Sequence, residues 1–189
     1  MTKIHPTAIV HPKAELDDEV EIGPYSIVEE YVRIGRGTKV GPHVQICRWT
    51  KIGRDCRIFF GATIGTPSQD VKYRGWRSYA VIGDRNVIRE YASISRATTE
   101  EGATLIGDDN LIMKHVGISH DCRIGNHVIM ANLVTLGGHV TVEDYARIGG
   151  MSAVHQFVRI GKMAMAGACS KFTKDVPPFT VADGHPARV

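Results

Sequence analysis

The stretch IGNHVIMANLVTLGGHVTVEDYARIGGMSAVHQFVRIG, residues 124–161, carries an apolar side chain at every sixth position. These positions hold Ile124, Met130, Leu136, Val142, Ile148, Val154 and Ile160. The spacing extends in both directions: of 29 such positions between residues 4 and 172, 24 hold Ile, Val, Leu or Met. An α-helix repeats every 3.6 residues, so a period of six indicates a short strand followed by a corner.

Two further positions of each hexapeptide support a narrow coil. A small or β-branched residue usually stands four positions after the apolar one, as at Ala8, Val20 and Ala62, and is expected to point inward beside it. Glycine follows the apolar residue twelve times, as at Gly35 and Gly83, and is expected to relieve the corner backbone. The sequence therefore predicts an all-β chain, a parallel β-helix of hexapeptide repeats with stacked coils.

The six-residue period alone gives neither the number of strands in a coil nor the handedness. The known class of hexapeptide-repeat β-helices implies triangular, left-handed coils of 18 residues. Two segments, about 66–80 and about 96–104, interrupt the repeat, which resumes in phase after each. We predict that they are loops leaving a coil of one domain, residues 1–189. The Pro-containing segment at about 172–189 is expected to cap the open strand edges.

The two loops differ in composition. The first gathers Asp, Lys, Arg, Tyr and Trp side chains, and loops on a rigid scaffold commonly carry function, so we expect a functional role for it. The second is expected to be a solvated loop without one.

Composition excludes several classes of protein. The chain of 189 residues is 43% hydrophobic and 23% charged, which is typical of a folded domain. Its net charge of +3 is too small to indicate nucleic acid but is compatible with an acidic partner. No apolar run is long enough for a membrane helix, and the first residues lack a signal-peptide segment, so a soluble, cytoplasmic protein is expected.

The chain has four cysteines that are far apart in sequence: Cys47, Cys56, Cys122 and Cys169. They are expected to be reduced thiols, and Cys122 is expected to lie in the core.

The repeat also places the histidines. Residues 18 apart stack where the repeat is uninterrupted, which predicts two adjacent columns at one corner: His120, Gly138 and Gln156, and beside them Asp121, His139 and Phe157. Imidazole titrates near neutrality, which suits general acid–base catalysis, and a carboxylate or second histidine can fix its tautomer. We interpret His120 as a general base oriented by Asp121 or His139, with the Gly138 N–H as donor to a developing oxyanion. His155 lies in the same region.

Several longer strings are more specific than generic hexapeptides: SQDVKY, IGDRNVIRE, ISHDCRIGN, GGHVTV and IGGMSAVHQF. They resemble the acyl carrier protein–UDP-N-acetylglucosamine O-acyltransferases, the bacterial family that begins lipid A synthesis, and the resemblance runs from residue 4 to about 185. It implies a homotrimer with active sites between subunits. It also implies transfer of a fatty acyl group, usually 3-hydroxylated, from acyl carrier protein to the 3-hydroxyl of UDP-N-acetylglucosamine, without a metal or cofactor.

The resemblance also assigns roles to individual residues. His120 matches the general base, Asp121 the acidic neighbour that orients it, and Gly138 the oxyanion donor. The remaining matches are residues expected to contact substrate, three in the first loop and three in the stacked coils: Gln69, Asp70, Lys72, His139, His155 and Gln156.

Three features depart from the family pattern. Gly117 stands where many members have a second histidine. Ala168 stands where a glycine limits acyl length, and its extra methyl is expected to shorten the preferred chain. Members continue into a C-terminal helical domain that helps to bind the nucleotide and the carrier protein, whereas this chain ends at Val189.

Three alternatives remain open. The N-acyltransferase acting later in the same pathway has an additional N-terminal uridine-binding domain, whereas here the hexapeptides begin at Ile4. A trimeric zinc enzyme of the carbonic anhydrase type needs three histidines; His115 and His120 have the H-x4-H spacing, but no histidine lies at 79–102 to complete the set. The third alternative is an inert structural β-helix, for which replacing His120 would change no turnover.

Overall fold

The chain winds into the parallel β-helix that the repeat predicts, in a computed structural model that describes all residues 1–189. It has 28 short strands and no helix. The first half holds β1 (Lys3–Ile4), β2 (Ile9–Val10), β3 (Glu15–Leu16), β4 (Glu21–Ile22), β5 (Ile27–Val28), β6 (Arg33–Ile34), β7 (Lys39–Val40), β8 (Gln45–Ile46), β9 (Thr50–Ile52), β10 (Arg57–Ile58), β11 (Thr63–Thr66), β12 (Tyr79–Ile82), β13 (Val87–Ile88) and β14 (Ser93–Ser95). The second half holds β15 (Ala103–Ile106), β16 (Leu111–Ile112), β17 (Gly117–Ile118), β18 (Arg123–Ile124), β19 (Ile129–Met130), β20 (Thr135–Leu136), β21 (Thr141–Val142), β22 (Arg147–Ile148), β23 (Ala153–Val154), β24 (Arg159–Ile160), β25 (Met165–Ala166), β26 (Lys171–Phe172), β27 (Val181–Gly184) and β28 (Ala187–Arg188).

Every third strand belongs to the same sheet, so each coil has three sides. The first sheet runs β1-β4-β7-β10-β13-β16-β19-β22-β25-β27-β28, the second β2-β5-β8-β11-β14-β17-β20-β23-β26, and the third β3-β6-β9-β12-β15-β18-β21-β24. All pairs are parallel except β27 with β28. No helix in the structure has the length and apolar character needed to cross a membrane.

The register shows how the two interruptions fit into the coil. Ile46 pairs with Ile64, 18 residues later, as in a regular coil. Ile64 pairs with Ile94 and Ile94 with Ile118, at separations of 30 and 24 residues. The two excursions therefore add about two hexapeptides and one hexapeptide to their coils, and this whole-number insertion is why the repeat stays in phase.

The core is a column of side chains along the coil axis. It contains 39 buried hydrophobic residues, drawn from the apolar position and the position four residues later. Burying each Ile, Val, Leu, Met or Phe side chain of this core contributes about 1.5–3 kcal/mol. Several polar residues at the second position donate to a glycine carbonyl of the next coil: the Ser26 and Ser152 hydroxyls donate to Gly41 and Gly167, each at 2.7 Å. The Thr50 hydroxyl, at the same position of its hexapeptide, has no hydrogen-bond partner.

Apart from Gly65, which has a φ of 74°, the glycines that follow the apolar residue have no left-handed backbone and serve close stacking, so the expectation that they relieve the corner backbone is wrong for them. The left-handed backbone falls three positions after the apolar residue, where non-glycine residues such as Asp121 (φ 61°) and His139 (φ 60°) stand. Gly35 has no positive φ, but a Cβ there would lie 2.7 Å from the carbonyl carbon of Gly53 in the next coil. Close approach of the stacked backbones excludes a side chain.

Replacing Gly35 with alanine is therefore expected to destabilise the fold by about 1–3 kcal/mol, the usual cost of overpacking. The measurement is the thermal unfolding midpoint. Gly117→Ala is the matched control, because its Cβ would meet nothing closer than the Thr135 methyl at 3.9 Å. Equal midpoints for both variants and the parent would contradict this explanation.

Candidate active site

The candidate site lies at the corner where the chain turns from the second sheet to the third. Backbone bonds hold successive coils together there: the His139 N–H donates to the His120 carbonyl and the Phe157 N–H to the Gly138 carbonyl, both at 3.0 Å. The Phe157 ring stacks on the His139 imidazole, with centroids 4.7 Å apart. The two columns thus stack as the register predicts.

His120 and Asp121 form a closely bonded pair. The distance from His120 Nδ1 to Asp121 Oδ2 is 2.8 Å, and each side chain is only 11% exposed. An ionised carboxylate only accepts hydrogen bonds, so the imidazole proton resides on Nδ1 and Nε2 keeps a lone pair. Asp121 Oδ2 also accepts the Thr98 N–H at 3.0 Å and lies 3.8 Å from His139 Nε2. The sequence-adjacent acid therefore fixes the tautomer that leaves Nε2 free to accept a proton.

Gly138 lies directly against the His120 ring. A Cβ at this position would overlap the imidazole, so no side chain fits between the two coils. The Gly138 N–H donates no hydrogen bond within the chain, whereas its carbonyl is engaged by Phe157. An unengaged N–H beside an imidazole is suited to stabilise negative charge that develops on a substrate oxygen.

The first loop brings a second carboxylate to the pair. Asp70 Oδ2 lies 3.8 Å from His120 Nε2, too far for a hydrogen bond. The Asp70 side chain is held by its own loop, because its Oδ1 accepts the Lys72 N–H at 2.7 Å and its backbone N–H donates to Ser68. The Nε2 lone pair therefore faces an acceptor across a gap that a substrate hydroxyl could enter.

The other predicted site residues are not all in contact with this cluster. Gln69, Lys72, His155 and Gln156 are exposed, and their side chains make no hydrogen bond or ion pair to His120. Ala168 follows β25, so it lies at the corner between the first and second sheets. His115 lies at that same corner, stacked on Tyr91, and therefore on a different side of the coil from His120.

The second loop is not the solvated loop that its composition suggested, so that expectation is wrong for its first residues. Arg96 and Thr98 are buried, at 5% and 7% exposure. The Arg96 guanidinium donates to the Tyr73 hydroxyl at 2.9 Å and to the Gly65 carbonyl at 3.0 Å. The Thr98 hydroxyl bonds to that of Ser68 at 2.6 Å, while its N–H donates to Asp121. The first residues of the second loop, Arg96 and Thr98, therefore hold the first loop in place, and Thr98 also orients Asp121.

Arg96→Ala is expected to loosen the first loop without unfolding the β-helix. Trypsin should then cleave after Lys72 or Arg74 about tenfold faster or more, because each lost charged hydrogen bond is worth about 1.5–3 kcal/mol. Gel analysis of timed digests gives the rates. Arg123→Ala, which removes an exposed arginine elsewhere, serves as control. Equal cleavage rates for the two variants would contradict the conclusion that Arg96 holds the first loop in place.

No thiol or hydroxyl forms a hydrogen bond with the His120 imidazole, as an activated nucleophile would. Cys122 is buried as expected, and burial raises the pKa of its thiol to about 12, so it stays protonated at neutral pH. Its sulfur donates to the Gly137 carbonyl. Ser119 makes no side-chain hydrogen bond to His120. The corner is therefore arranged for a general base acting directly on a substrate.

The coils are similar to those of the bacterial hexapeptide-repeat transferases: the family described as bacterial transferase hexapeptide (six repeats) matches residues 31–66 and 103–138. An acyl-[acyl-carrier-protein]–UDP-N-acetylglucosamine O-acyltransferase of Thermodesulfovibrio yellowstonii is 56% identical over 190 residues, covering all of this chain and 74% of that protein. One from Paraburkholderia phymatum is 51% identical, covering 99% of this chain and 72% of that protein. The chain belongs to the acyl-[acyl-carrier-protein]–UDP-N-acetylglucosamine O-acyltransferase family.

Solved structures agree. The LpxA structure from Acinetobacter baumannii superposes with a TM-score of 0.96 at 44% identity, covering 98% of this chain and 72% of that one. The UDP-N-acetylglucosamine acyltransferase of Francisella novicida gives 0.93 at 42% identity, covering 95% of this chain and 66% of that one. The resemblance found in the sequence and the predicted fold class, a left-handed parallel β-helix of hexapeptide repeats, are confirmed.

Proposed function

We propose that this protein transfers an acyl group from acyl carrier protein to the 3-hydroxyl of UDP-N-acetylglucosamine, the step that begins lipid A synthesis. One observation carries the proposal: in a chain of this O-acyltransferase family, His120 is locked by Asp121 with Nε2 free, beside the unengaged Gly138 N–H.

The proposed reaction needs one base and one oxyanion donor. His120 Nε2 takes the proton of the sugar hydroxyl while its oxygen attacks the thioester carbonyl carbon. The Gly138 N–H stabilises the negative charge that forms on the carbonyl oxygen. The C–S bond then breaks, the carrier's sulfur receives the proton from His120, and the new C–O bond is an ester. Asp121, at 2.8 Å, stabilises the transient imidazolium.

We assign substrate contacts to the residues around this pair. Asp70 faces Nε2 and is suited to accept a hydrogen bond from a sugar or acyl hydroxyl. His139 lies beside Asp121, and its imidazole is 38% exposed. The exposed residues of the first loop and of the next coil form the rim that is proposed to bind the sugar nucleotide and the acyl chain: Gln69, Lys72, His155 and Gln156.

The proposed homotrimer would explain how Ala168 can limit the length of the acyl chain. This residue lies at a different corner from His120, so it can limit acyl length only if a neighbouring subunit brings it to the site. Light scattering should then give about three times the chain mass of 20.7 kDa. Ala168→Gly should lengthen the preferred acyl chain, as measured by competition between acyl carrier proteins loaded with acyl chains of different length. An unchanged preference would contradict this role for Ala168.

We also propose a cytoplasmic location, in keeping with four free cysteines.

The function is tested by the release of free carrier thiol. The purified chain is incubated with 3-hydroxyacyl carrier protein, with and without UDP-N-acetylglucosamine. Thiol release that requires the sugar nucleotide supports a transferase. Thiol release at the same rate without it indicates a thioesterase, and no release in either case would support the inert-scaffold alternative.

A further inference from the structure

The catalytic corner holds a set of atoms that a divalent transition metal prefers. One ligand atom from each of His120, Asp121 and His139 lies within 4.8 Å of the other two. Two imidazole nitrogens and one carboxylate oxygen are a common set of ligands for zinc and for other divalent transition metals. No other group of three or more His, Cys, Asp or Glu residues in the chain meets this geometry.

The two distances from the Asp121 carboxylate to the imidazoles are close to those around a zinc ion. The carboxylate oxygen is 2.8 Å from His120 Nδ1 and 3.8 Å from His139 Nε2. Ligands bound at about 2.1 Å around a tetrahedral zinc ion lie roughly 3.4 Å apart, between these two values. His139 is 38% exposed, so solvent can reach the site and supply the remaining ligand.

We propose that Zn²⁺ binds to His120, Asp121 and His139 and thereby inhibits the protein. The inhibitory part rests on the proposed function, whereas the metal site does not. In the free protein the imidazole proton is on Nδ1 and the lone pair on Nε2. Zinc takes the Nδ1 lone pair, so the proton moves to Nε2, where Asp70 Oδ2 faces it at 3.8 Å. The proton has moved within the ring, so none is released, and the base has lost the lone pair it needs.

This arrangement differs from the zinc enzyme considered as an alternative. That enzyme would use the H-x4-H pair, but His115 lies at another corner of the coil, stacked on Tyr91. The metal proposed here competes with the hydrogen bond between His120 and Asp121 and is an inhibitor rather than a cofactor.

Zinc binding is tested by calorimetric titration of the chelator-treated full chain with Zn²⁺ alone. We expect one ion per chain. His139→Ala should weaken binding at least about tenfold, since even the loss of a group that supports a ligand costs 10–100-fold. His115→Ala and Cys169→Ser, which removes the exposed thiol, should bind zinc as the parent does. Unchanged affinity in His139→Ala, or loss of binding in either control, would overturn the proposal.

Activity provides the second readout and separates this inference from the proposed function. Transfer measured with a chelator present should fall in proportion to zinc occupancy and return on adding the chelator. Transfer that proceeds unaffected by bound zinc, or is accelerated by it, overturns the inhibitory role while leaving the acyltransferase proposal standing. Zinc binding lost in His139→Ala, in a chain that catalyses no transfer, would support the site and contradict the function.

Discussion

His120→Ala is expected to lower the rate of acyl transfer by about 10²–10⁴-fold, the usual contribution of a general base. Without the imidazole, the sugar hydroxyl loses the base that Asp121 orients, and the nearby thiol of Cys122 cannot replace it because it is buried and protonated. The measurement is kcat in chelator-treated buffer.

The control variant is His127→Ala. His127 is also a corner histidine, but it stacks on Tyr145 at the corner between the third and first sheets. It should retain the parent rate. Thermal unfolding of both variants should show that the β-helix persists, since neither side chain contributes to the apolar core. A His120→Ala enzyme within twofold of the parent rate would remove His120 from the mechanism.

Asp121→Asn is expected to lower kcat by about 10–100-fold while leaving the fold intact. Asparagine tolerates the left-handed backbone at this position, where φ is 61°. The Thr98 N–H and His120 Nδ1 both bond to the same carboxylate oxygen, Oδ2, so an amide oxygen there can accept both bonds. The substitution then removes chiefly the charge, and a hydrogen bond to a charged group is worth about 1.5–3 kcal/mol.

The matched control for this substitution is Asp109→Asn. Asp109 also has a left-handed backbone, with φ of 59°, and is paired with Arg85 away from the site. It should keep the parent rate. Equal rates for Asp121→Asn and Asp109→Asn would show that the charge beside the imidazole does not matter.

The fold could be predicted from the sequence because the six-residue repeat shows directly which residues of successive coils lie against each other. In a coil of fixed length, an apolar residue at every sixth position determines which residues stack, so His120 could be placed against Gly138 and Asp121 beside His139. The handedness was not accessible in this way and came from the known class of hexapeptide β-helices. The reason for the glycines was missed, because a period in sequence does not show that stacked backbones exclude a Cβ.

The positions of the loop residues could not be predicted from the repeat. Residues outside the repeat have no register, so spacing could not show that Asp70 approaches Nε2; only the resemblance of the SQDVKY string pointed to it. The burial of Arg96 was also missed, because its partner Tyr73 comes from the other excursion. The available signal was the position of Arg96, which comes directly after β14 and two residues after the buried Ile94.

The most direct test of the central claim is the mass and linkage of the product formed by the purified chain from UDP-N-acetylglucosamine and 3-hydroxyacyl carrier protein. The account predicts a sugar nucleotide heavier by one acyl group, with the ester on the 3-oxygen, and almost none of it from His120→Ala. Unmodified sugar nucleotide, or the same yield of ester from His120→Ala, would contradict it.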